Sequence, residues 1–464
     1  MKHQHPAREG APAVSPSRLA AASILHRVLR DDSYASPLLA AESLDDLSPE
    51  DRRLVQELVL GVLRWRGELD YVINAKTNRP AEKLDAPLRV ALWLGLYQLR
   101  HLERVPEHAA VNESVELVKN SRAWRGASLV NAALRAETRE RTAAPDDRVK
   151  QPANRLAIGL SHPKWLLERW IERLGLDEAT NLARANNEHA PVALRINPLR
   201  APSLARVLEE LSAIGVDVRK SEIAPGAFVV SGGHLTPSSR AIREGWVYVQ
   251  DEASQLIAYL VGARAGERVL DIGAAPGGKT SALAASMGNT GRIVAVDVYP
   301  SRLATLNATC HRLAANNVSP VAADAAFGLP FEHSVTFDRV LVDAPCSGTG
   351  TLRRNPEIKW RLAAVDLERF AGLQSALLDT ASGRVRAGGR LVYSTCSVEP
   401  EEDEAVAAAF LAAHPEFVRI DPDVSESVRT RDGYVRTFPH VHGADGFFAA
   451  VFERGEGTES RSQA

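Results

Sequence analysis

The most constraining feature of this sequence is the regular alternation of short apolar runs and helical segments from about Gly245 onward. Most intervals between the apolar runs have helical spacing, and this alternation is typical of a doubly wound, largely parallel sheet. We therefore predict an α/β, Rossmann-like domain over 245–455. Its predicted strands are 268–272, 292–297, 320–323, 337–343, 390–394, 417–420 and 447–452.

The remainder of the 464-residue chain is long enough for further domains. Residues 17–141 show helical spacing throughout, as in Leu88, Leu92 and Leu96, and predict an all-α domain. Helices are expected to begin near Pro49 and Ala86, where a proline falls in the first turn. Residues 156–244 mix helices with strands near 193–197, 216–219 and 227–230, which predicts a small α+β module. We assign 142–155 to a linker, 1–16 to a disordered tail and 456–464 to a loose tail.

Composition excludes several classes of protein. No stretch approaches the roughly 18 uncharged apolar residues that cross a bilayer, and the polar first residues do not form a signal peptide. Three cysteines form neither a disulfide framework nor a zinc pattern, so we predict no metal and expect a reducing cytoplasm. The net charge of −2 means that local patches must hold any nucleic acid. We expect neither a membrane nor DNA as partner.

A glycine-rich turn follows the first strand of the predicted sheet. It comprises Gly273, Ala274, Ala275, Pro276, Gly277, Gly278 and Lys279. Such a turn is more often a tight connection than a site, but acids follow the next two strands, Asp297 where ribose hydroxyls are bound and Asp324 where an adenine amine donates. Little side-chain bulk lets backbone amides approach a ligand at a helix N-terminus. The glycine turn and the two acids together favour a nucleoside cofactor without phosphates, such as S-adenosylmethionine.

Two cysteines follow later strands of the same sheet. Cys346 lies in Asp-Ala-Pro-Cys-Ser-Gly and Cys396 in Ser-Thr-Cys-Ser, both at strand ends, where ligands of open α/β sheets bind. A buried small hydrophobe is the commoner role for a lone cysteine, and we assign it to Cys310 on a helical stretch. The polar surroundings of Cys346 and Cys396 favour chemistry instead.

A thiol beside S-adenosylmethionine suits one reaction in particular. Thiolate addition at carbon 6 of cytosine makes carbon 5 nucleophilic enough to accept a methyl group. A second weak base then assists loss of the proton on carbon 5 and elimination of the cysteine. Asp343, three residues before Cys346, is placed to hydrogen-bond the base, and Lys279 to lower a thiol pKa or to steer the substrate backbone. Residue chemistry alone does not order the two cysteines.

These motifs resemble a known family. Residues 271–280, 343–350 continuing to Trp360, and 394–399 are similar to the Sun-type RNA cytosine-C5 methyltransferases, as are 249–254 and 445–448. Together they span about 249–452. The helical N-terminal region resembles the NusB-like RNA-binding domain of the bacterial 16S ribosomal RNA methyltransferase B branch, mostly by arrangement.

The resemblance implies roles for individual residues. Cys396 becomes the attacking nucleophile and Cys346 promotes product release, whereas in the related DNA enzymes the cysteine of the Pro-Cys motif attacks. The implied cofactor and base pocket comprises the turn residues 273–279, Asp297, Arg302, Asp324 and Asp343. Family members often carry cysteine where this chain has Gly273, and glycine still permits the turn.

RNA contacts and the substrate remain open at this point. A flipped base needs cations or aromatic rings nearby, and we expect these from Arg353, Arg354, Lys359, Trp360 and Arg361. In the helical domain, Arg64, Arg66, Lys119, Arg122 and Arg125 are candidates for backbone contacts, while Trp65 and Trp93 are expected in the core. The leading prediction is methylation of 16S ribosomal RNA. Transfer RNA is the near alternative, and a non-catalytic RNA-binding assembly factor is the other class.

Overall fold

The computed structural model describes residues 14–31, 33–40, 44, 46–143 and 151–456. Most of both predicted tails, and residues 144–150 of the predicted linker, lie outside this part of the chain. The chain forms two compact units. The N-terminal unit is Met1–Glu188 with Leu352–Arg361, and the C-terminal unit is His189–Thr351 with Leu362–Ala464. No helix in the described ranges is long and apolar enough to cross a membrane.

The elements follow one another in the order expected for an all-α region and then a mixed one. The described helices are α1 (Pro16–Arg30), α2 (Ala35–Leu39), α3 (Pro49–Thr77), α4 (Ala86–His101), α5 (Glu107–Lys119), α6 (Ala127–Arg139), α7 (Pro152–Gly159), α8 (Lys164–Leu174), α9 (Leu176–Ala185), α10 (Leu204–Ala213), α11 (Arg240–Arg243), α12 (Glu252–Val261), α13 (Gly278–Ser286), α14 (Pro300–Leu313), α15 (Ile358–Arg361), α16 (Ala364–Ser382), α17 (Glu404–Ala413) and α18 (Pro439–His442). The described strands are β1 (Ala193–Ile196), β2 (Asp217–Lys220), β3 (Ala227–Gly232), β4 (Val247–Val249), β5 (Arg268–Ile272), β6 (Arg292–Asp297), β7 (Val318–Ala322), β8 (Phe337–Asp343), β9 (Val385–Thr395), β10 (Phe417–Arg419), β11 (Val435–Arg436) and β12 (Phe448–Arg454).

The N-terminal unit is built around α3 and α4. Ser48 caps α3 by accepting a hydrogen bond from the Asp51 amide, and Pro49 occupies the first turn, where its missing N–H costs nothing. Helix α4 is buried on almost every side, with Trp93 fully inside the core. Such a helix has no polar face because other helices surround it. The predicted starts of α3 and α4 and the core position of Trp93 are confirmed.

The segment Leu352–Arg361, which follows the Cys346 loop in sequence, folds into the N-terminal unit. Lys359 is 1% exposed, and its ammonium donates to the Arg64 carbonyl at 2.9 Å and to Asn187 Oδ1 at 3.3 Å. Trp360 Nε1 donates to the Leu63 carbonyl at 2.6 Å. Burial lowers the pKa of Lys359 well below its ordinary value, with a further contribution from the positive charge of Arg64.

These contacts correct the expectation that Arg353, Lys359, Trp360 and Arg361 bind RNA, while for the half-buried Arg354 it stays a prediction. Arg353 is 3% exposed, and Arg361 donates to the carbonyls of Val28 and Ser33 at 3.0 and 2.6 Å. The segment therefore stabilises the helical unit. Of the candidate cations in that unit, Arg64 is 3% exposed and is not available to RNA. Arg66 is half-buried over the rings of Trp93 and Trp360, and its contact with RNA stays a prediction.

The C-terminal unit begins with a small antiparallel sheet. Its strands lie in the order β2-β3-β1-β4, and α10 and α11 contribute Val207, Leu211 and Ala241 to its core. A small α+β module is present, as predicted. Its predicted bounds, 156–244, differ from those of the structure, because α8 and α9 belong to the N-terminal unit and β4 lies beyond Glu244. Strand β4 was not predicted, since it comprises only Val247–Val249.

The second sheet carries the predicted doubly wound fold. Its order is β10-β12-β9-β8-β5-β6-β7, with β11 paired to β12. Strands β7, β6, β5, β8 and β9 are parallel, while β12 and β10 run antiparallel to their neighbours. Helices α12, α13 and α14 share one core with this sheet, and α16 and α17 share another. The sheet is thus covered by helices on both faces, which explains its continuous apolar strands.

Strand β5 is the point where the strand order reverses. The chain adds β6 and β7 on one side of β5 and later adds β8 and β9 on the other. Ligands of open α/β sheets bind at such a switch point, outside the carboxyl ends of the strands. The residues that come directly after β5, β6, β8 and β9 are therefore the ones to consider for chemistry.

Candidate active site

The glycine turn after β5 requires glycine at two positions. Gly273 has φ of 79°, and a Cβ built there would lie 2.2 Å from the Asp343 carbonyl oxygen. Gly277 has φ of 98° and caps α13. A side chain at either position would be strained, and at Gly273 it would also collide with the end of β8. In this chain glycine, not cysteine, fits the first position of the turn.

Two acids follow the strands next to this turn. Asp297 ends β6 and is 3% exposed; its Oδ1 accepts from the Tyr299 amide at 3.1 Å. Its Oδ2 lies 3.2 Å from Arg302 Nη1 but accepts no hydrogen bond. Arg302 also donates to the Ala275 carbonyl at 2.8 Å, which joins this acid to the turn. Asp324 follows β7 and is exposed, with Oδ1 accepting from the Ala326 amide at 3.1 Å.

A cavity of about 200 Å³ opens beside the turn. Among its lining residues are most of the predicted turn, with Lys279 and Asp343. Gly277, Asp297, Arg302, Asp324 and both cysteines are outside the lining. Sequence reasoning missed Tyr248 and Gln250, which β4 and the residue after it bring to the same cavity. Gln250 belongs to a family-like motif, but nothing in its spacing assigns it to a pocket.

Lys279 and Asp343 form an ion pair at the switch point. Lys279 Nζ donates to Asp343 Oδ2 at 2.7 Å, and the Ser394 hydroxyl donates to Oδ1 at 3.0 Å. Burial lowers the pKa of Lys279, but the Asp343 carboxylate outweighs it and leaves the pKa raised. The lysine is thus a fixed positive charge, and Asp343 is held by groups from two other elements.

The structure brings the two predicted cysteines together. Strands β8 and β9 are parallel, with Asp343 opposite Ser394, so their following loops leave the same edge of the sheet. The Gly350 amide donates to the Cys396 carbonyl at 3.0 Å, and the two Sγ atoms lie 3.2 Å apart. Cys310, by contrast, lies on α14 with its side chain buried in the core, as predicted.

Cys346 is held in its thiol form. Hydrogen bonding to Cys396, burial, and the negative charges of Cys396 and Glu402 raise the pKa of Cys346 well above its ordinary value. Either sulfur can donate the hydrogen bond between them. The geometry therefore brings the two thiols together without assigning which one attacks.

Asp271, on β5 beneath the turn, is the most deeply buried acid of the site. Its side chain is 0% exposed, Oδ2 accepts from Thr280 Oγ1 at 2.6 Å, and Oδ1 has no hydrogen-bond partner. Burial raises its pKa to about 7; the negative charges of Asp343 and Asp297 add to this, while Thr280 and Lys279 oppose it.

Replacing Asp271 with asparagine is expected to remove a pH dependence of stability. Because the folded pKa is raised, the carboxyl group favours folding fully below its unfolded pKa of 3.8, and this contribution is lost as pH rises toward about 7. The difference between the unfolded and folded pKa values corresponds to roughly 4 kcal/mol in the free energy of unfolding. Thermal unfolding of the full chain between about pH 4.5 and about pH 8 should show that the stability of Asp271→Asn increases relative to that of the wild type as pH rises. Parallel curves would contradict the assignment.

The fold and the site together define a class. A doubly wound sheet that presents a glycine turn, acids after successive strands and a pair of thiols at its switch point is a Rossmann-like methyltransferase. Residues 258–453 match the family described as 16S rRNA methyltransferase RsmB/F. Residues 15–139 match the NusB family, and 162–234 match the RsmF/B-like ferredoxin-like domain.

Similar proteins extend over nearly the whole chain. It is 35% identical over 436 residues to the probable ribosomal RNA small subunit methyltransferase B of Bacillus subtilis, covering 91% of this chain and 95% of that one. Identity to the Pseudomonas putida ribosomal RNA small subunit methyltransferase B is 34% over 434 residues, covering 93% and 97%. The crystal structure of PH0851 matches with a TM-score of 0.82 at 29% identity, covering 95% and 100%. The chain belongs to the RsmB/F methyltransferase family, is an RNA methyltransferase, and uses S-adenosylmethionine as its cofactor.

Proposed function

We propose that this protein methylates carbon 5 of a cytosine in 16S ribosomal RNA through a covalent bond between Cys396 and carbon 6. The observation that carries the proposal is the contact of two thiols, 3.2 Å apart, at the sheet edge that also holds Lys279 and Asp343. Two adjacent thiols have no use in simple methyl transfer to a nucleophilic atom. They are needed where one must add to the base and another must help it leave.

Cys396 is proposed as the nucleophile. The Lys279 ammonium lies close enough to its sulfur for the two charges to interact. A positive charge beside the sulfur favours a thiolate, which is the attacking form of cysteine. Bonding of this sulfur to carbon 6 pushes electron density toward carbon 5 and the ring nitrogen.

Lys279 and Asp343 are proposed to hold the base during this addition. The Asp343 carboxylate accepts from the exocyclic amine, while Lys279 offsets the negative charge that develops on the ring. Such fixed charges act strongly in a site that excludes water. Asp343 pairs with Ser394, two residues before Cys396, so a base beside Cys396 lies at the sheet edge that also holds both side chains.

Cys346 is proposed to promote release. The hydrogen bond to Cys396 and the charge on that sulfur are two of the causes that raise the Cys346 pKa. Both disappear once Cys396 is bonded to carbon 6, so Cys346 then gives up its proton to solvent water more readily. Its thiolate takes the proton from carbon 5, the ring double bond re-forms, and the bond from carbon 6 to Cys396 breaks.

The residues around the turn fit the cofactor. The glycines allow close approach of backbone amides, and the buried Asp297 Oδ2, which accepts no hydrogen bond, is available to a hydroxyl group. When bound, S-adenosylmethionine supplies an electrophilic methyl group. We propose that residues 273–279 contact it with Asp297, Arg302, Asp324 and Asp343.

An exposed basic surface of the helical unit is proposed to bind the RNA backbone. Lys119, Arg122 and Arg125 are exposed, and Trp124 beside them is 58% exposed. The guanidinium of Arg125 lies 5.3 Å from the Trp124 ring centroid. Cations interleaved with an aromatic ring suit phosphates and unstacked bases.

Transfer of tritium from labelled S-adenosylmethionine to unmodified 16S RNA tests the function. We expect label in 5-methylcytidine after nucleoside analysis, and none in bulk transfer RNA. Label in transfer RNA alone would keep the chemistry and change the substrate. Absence of label in both, with the cofactor bound, would favour the non-catalytic assembly factor.

A further inference from the structure

A buried carboxylate connects the two cysteine loops. Glu402 is 0% exposed and lies just before α17. Its Oε2 accepts from the hydroxyls of Ser347 and Ser397 at 2.5 and 2.6 Å. Its Oε1 accepts from the Ser347 amide at 2.7 Å. Ser347 directly follows Cys346, and Ser397 directly follows Cys396, so one side chain holds the residue after each thiol.

The same carboxylate reaches the residue before Cys346. Gln374, on α16, donates to Glu402 Oε1 at 3.2 Å and to the Pro345 carbonyl at 3.0 Å. Thr349 completes the cluster, since its hydroxyl lies 3.4 Å from that of Ser347 and 3.3 Å from that of Ser397. The backbone is therefore held on both sides of Cys346 by groups attached to Glu402.

The charge on Glu402 is balanced by hydrogen bonds. In the contacts described above, each donor to this carboxylate is an amide or a hydroxyl group, and three of the four come from the residues after the cysteines. Burial raises the pKa of Glu402, and these hydrogen bonds oppose that effect. Hydrogen bonds to a buried charged group are the strong kind, and losing the acceptor leaves the donors unsatisfied.

We propose that Glu402 is a positioning residue that holds the sulfurs of Cys346 and Cys396 at their working separation. The proposal rests on the proposed function for its catalytic consequence, though not for its geometry. Misplacement of a reacting group by about 1 Å costs on the order of a hundredfold in rate. A variant that loosens both loops should therefore lower kcat without weakening either ligand.

Two measurements on the full chain test the proposal, and only one needs RNA. The first is the rate at which diamide closes a disulfide between Cys346 and Cys396, read as loss of two hydrogens from the intact mass. Each thiol gives up one proton and one electron, and diamide takes up the two protons and two electrons to become the hydrazine. The second is kcat and KM for methyl transfer to RNA, with the Kd of S-adenosylmethionine.

Glu402→Gln is expected to slow disulfide closure at least about tenfold and to lower kcat at least about tenfold, with KM and Kd within about twofold. Glu267→Gln is the matched control. Glu267 is also a poorly exposed carboxylate of the C-terminal unit, bonded to Arg339 at 3.0 Å, but it precedes β5 at the opposite edge of the sheet. It should leave both rates unchanged.

The double variant Ser347→Ala/Ser397→Ala carries the test if Glu402→Gln does not fold. It keeps the carboxylate with the Ser347 amide and Gln374 and removes the two hydroxyl links to it, together with the hydrogen bond that the Ser397 hydroxyl accepts from the Glu399 amide. Both rates should therefore fall by a smaller factor. Unchanged disulfide closure in every folded variant would overturn the proposal. Slowed closure in a protein that methylates no RNA would uphold the positioning role and reject the proposed function.

Discussion

Replacing Cys396 with alanine is expected to lower methyl transfer at least about a thousandfold, as removal of a nucleophile does in other covalent enzymes. Cys346→Ala is expected to behave differently. Cys396 can still add to carbon 6, but the proton on carbon 5 is not removed, and the enzyme stays bonded to the RNA. Denaturing gel electrophoresis with labelled 16S RNA should show a shifted species for Cys346→Ala alone.

The double variant Cys346→Ala/Cys396→Ala is the control for this trapped species and should show no shift. If Cys396→Ala traps RNA and Cys346→Ala does not, the two roles are reversed, as in the order that DNA enzymes use. Cofactor binding should be the same in all three variants, because neither cysteine lines the cavity beside the glycine turn.

Asp343→Asn is expected to lower kcat by about a hundredfold or more, within the range for loss of an acid–base or charge-stabilising group. The change removes the negative partner of Lys279 and the acceptor proposed for the exocyclic amine of the base. The measurement is the steady-state rate of methyl transfer at saturating RNA and S-adenosylmethionine.

Ser394→Ala is the matched control for Asp343→Asn. It removes the 3.0 Å hydrogen bond to Asp343 Oδ1 and leaves the 2.7 Å ion pair with Lys279 intact. We expect a loss below about tenfold, because the charge of Asp343 and its ion pair are kept and only one hydrogen bond from a hydroxyl group is lost. Equal losses in both variants would mean that Asp343 acts through its orientation and not through its charge.

Much of the site could be predicted because strand ends are visible in the sequence. The apolar runs before Gly273, Asp343 and Cys396 are short and end at polar or glycine residues. Parallel strands place the loops at their carboxyl ends along one edge of the sheet. The 3.2 Å contact between the sulfurs is the result of that rule and of the pairing of β8 with β9.

The residues that sequence reasoning misplaced share a physical cause. Lys359 and Trp360 have the composition of a nucleic-acid contact, but nothing local indicates that this stretch of chain folds into the other unit. Glu402 was missed because Ser347 and Gln374 are 55 and 28 positions away. In the sequence it is also one of several acids just before a helix, where acidic residues are ordinary. Burial by distant segments depends on the tertiary fold and does not appear as a periodic pattern in the sequence.

The discontinuous make-up of the N-terminal unit has a consequence for how the chain folds during synthesis. Its last segment, Leu352–Arg361, is completed 173 residues after Glu188 (361 − 188) has been added. At about 5–20 residues per second, that interval lasts roughly 9–35 s. Until then the carbonyls of Val28, Leu63 and Arg64 lack the donors that Arg361, Trp360 and Lys359 provide. The first unit to leave the ribosome is thus completed late, after most of the parallel strands of the second have been translated.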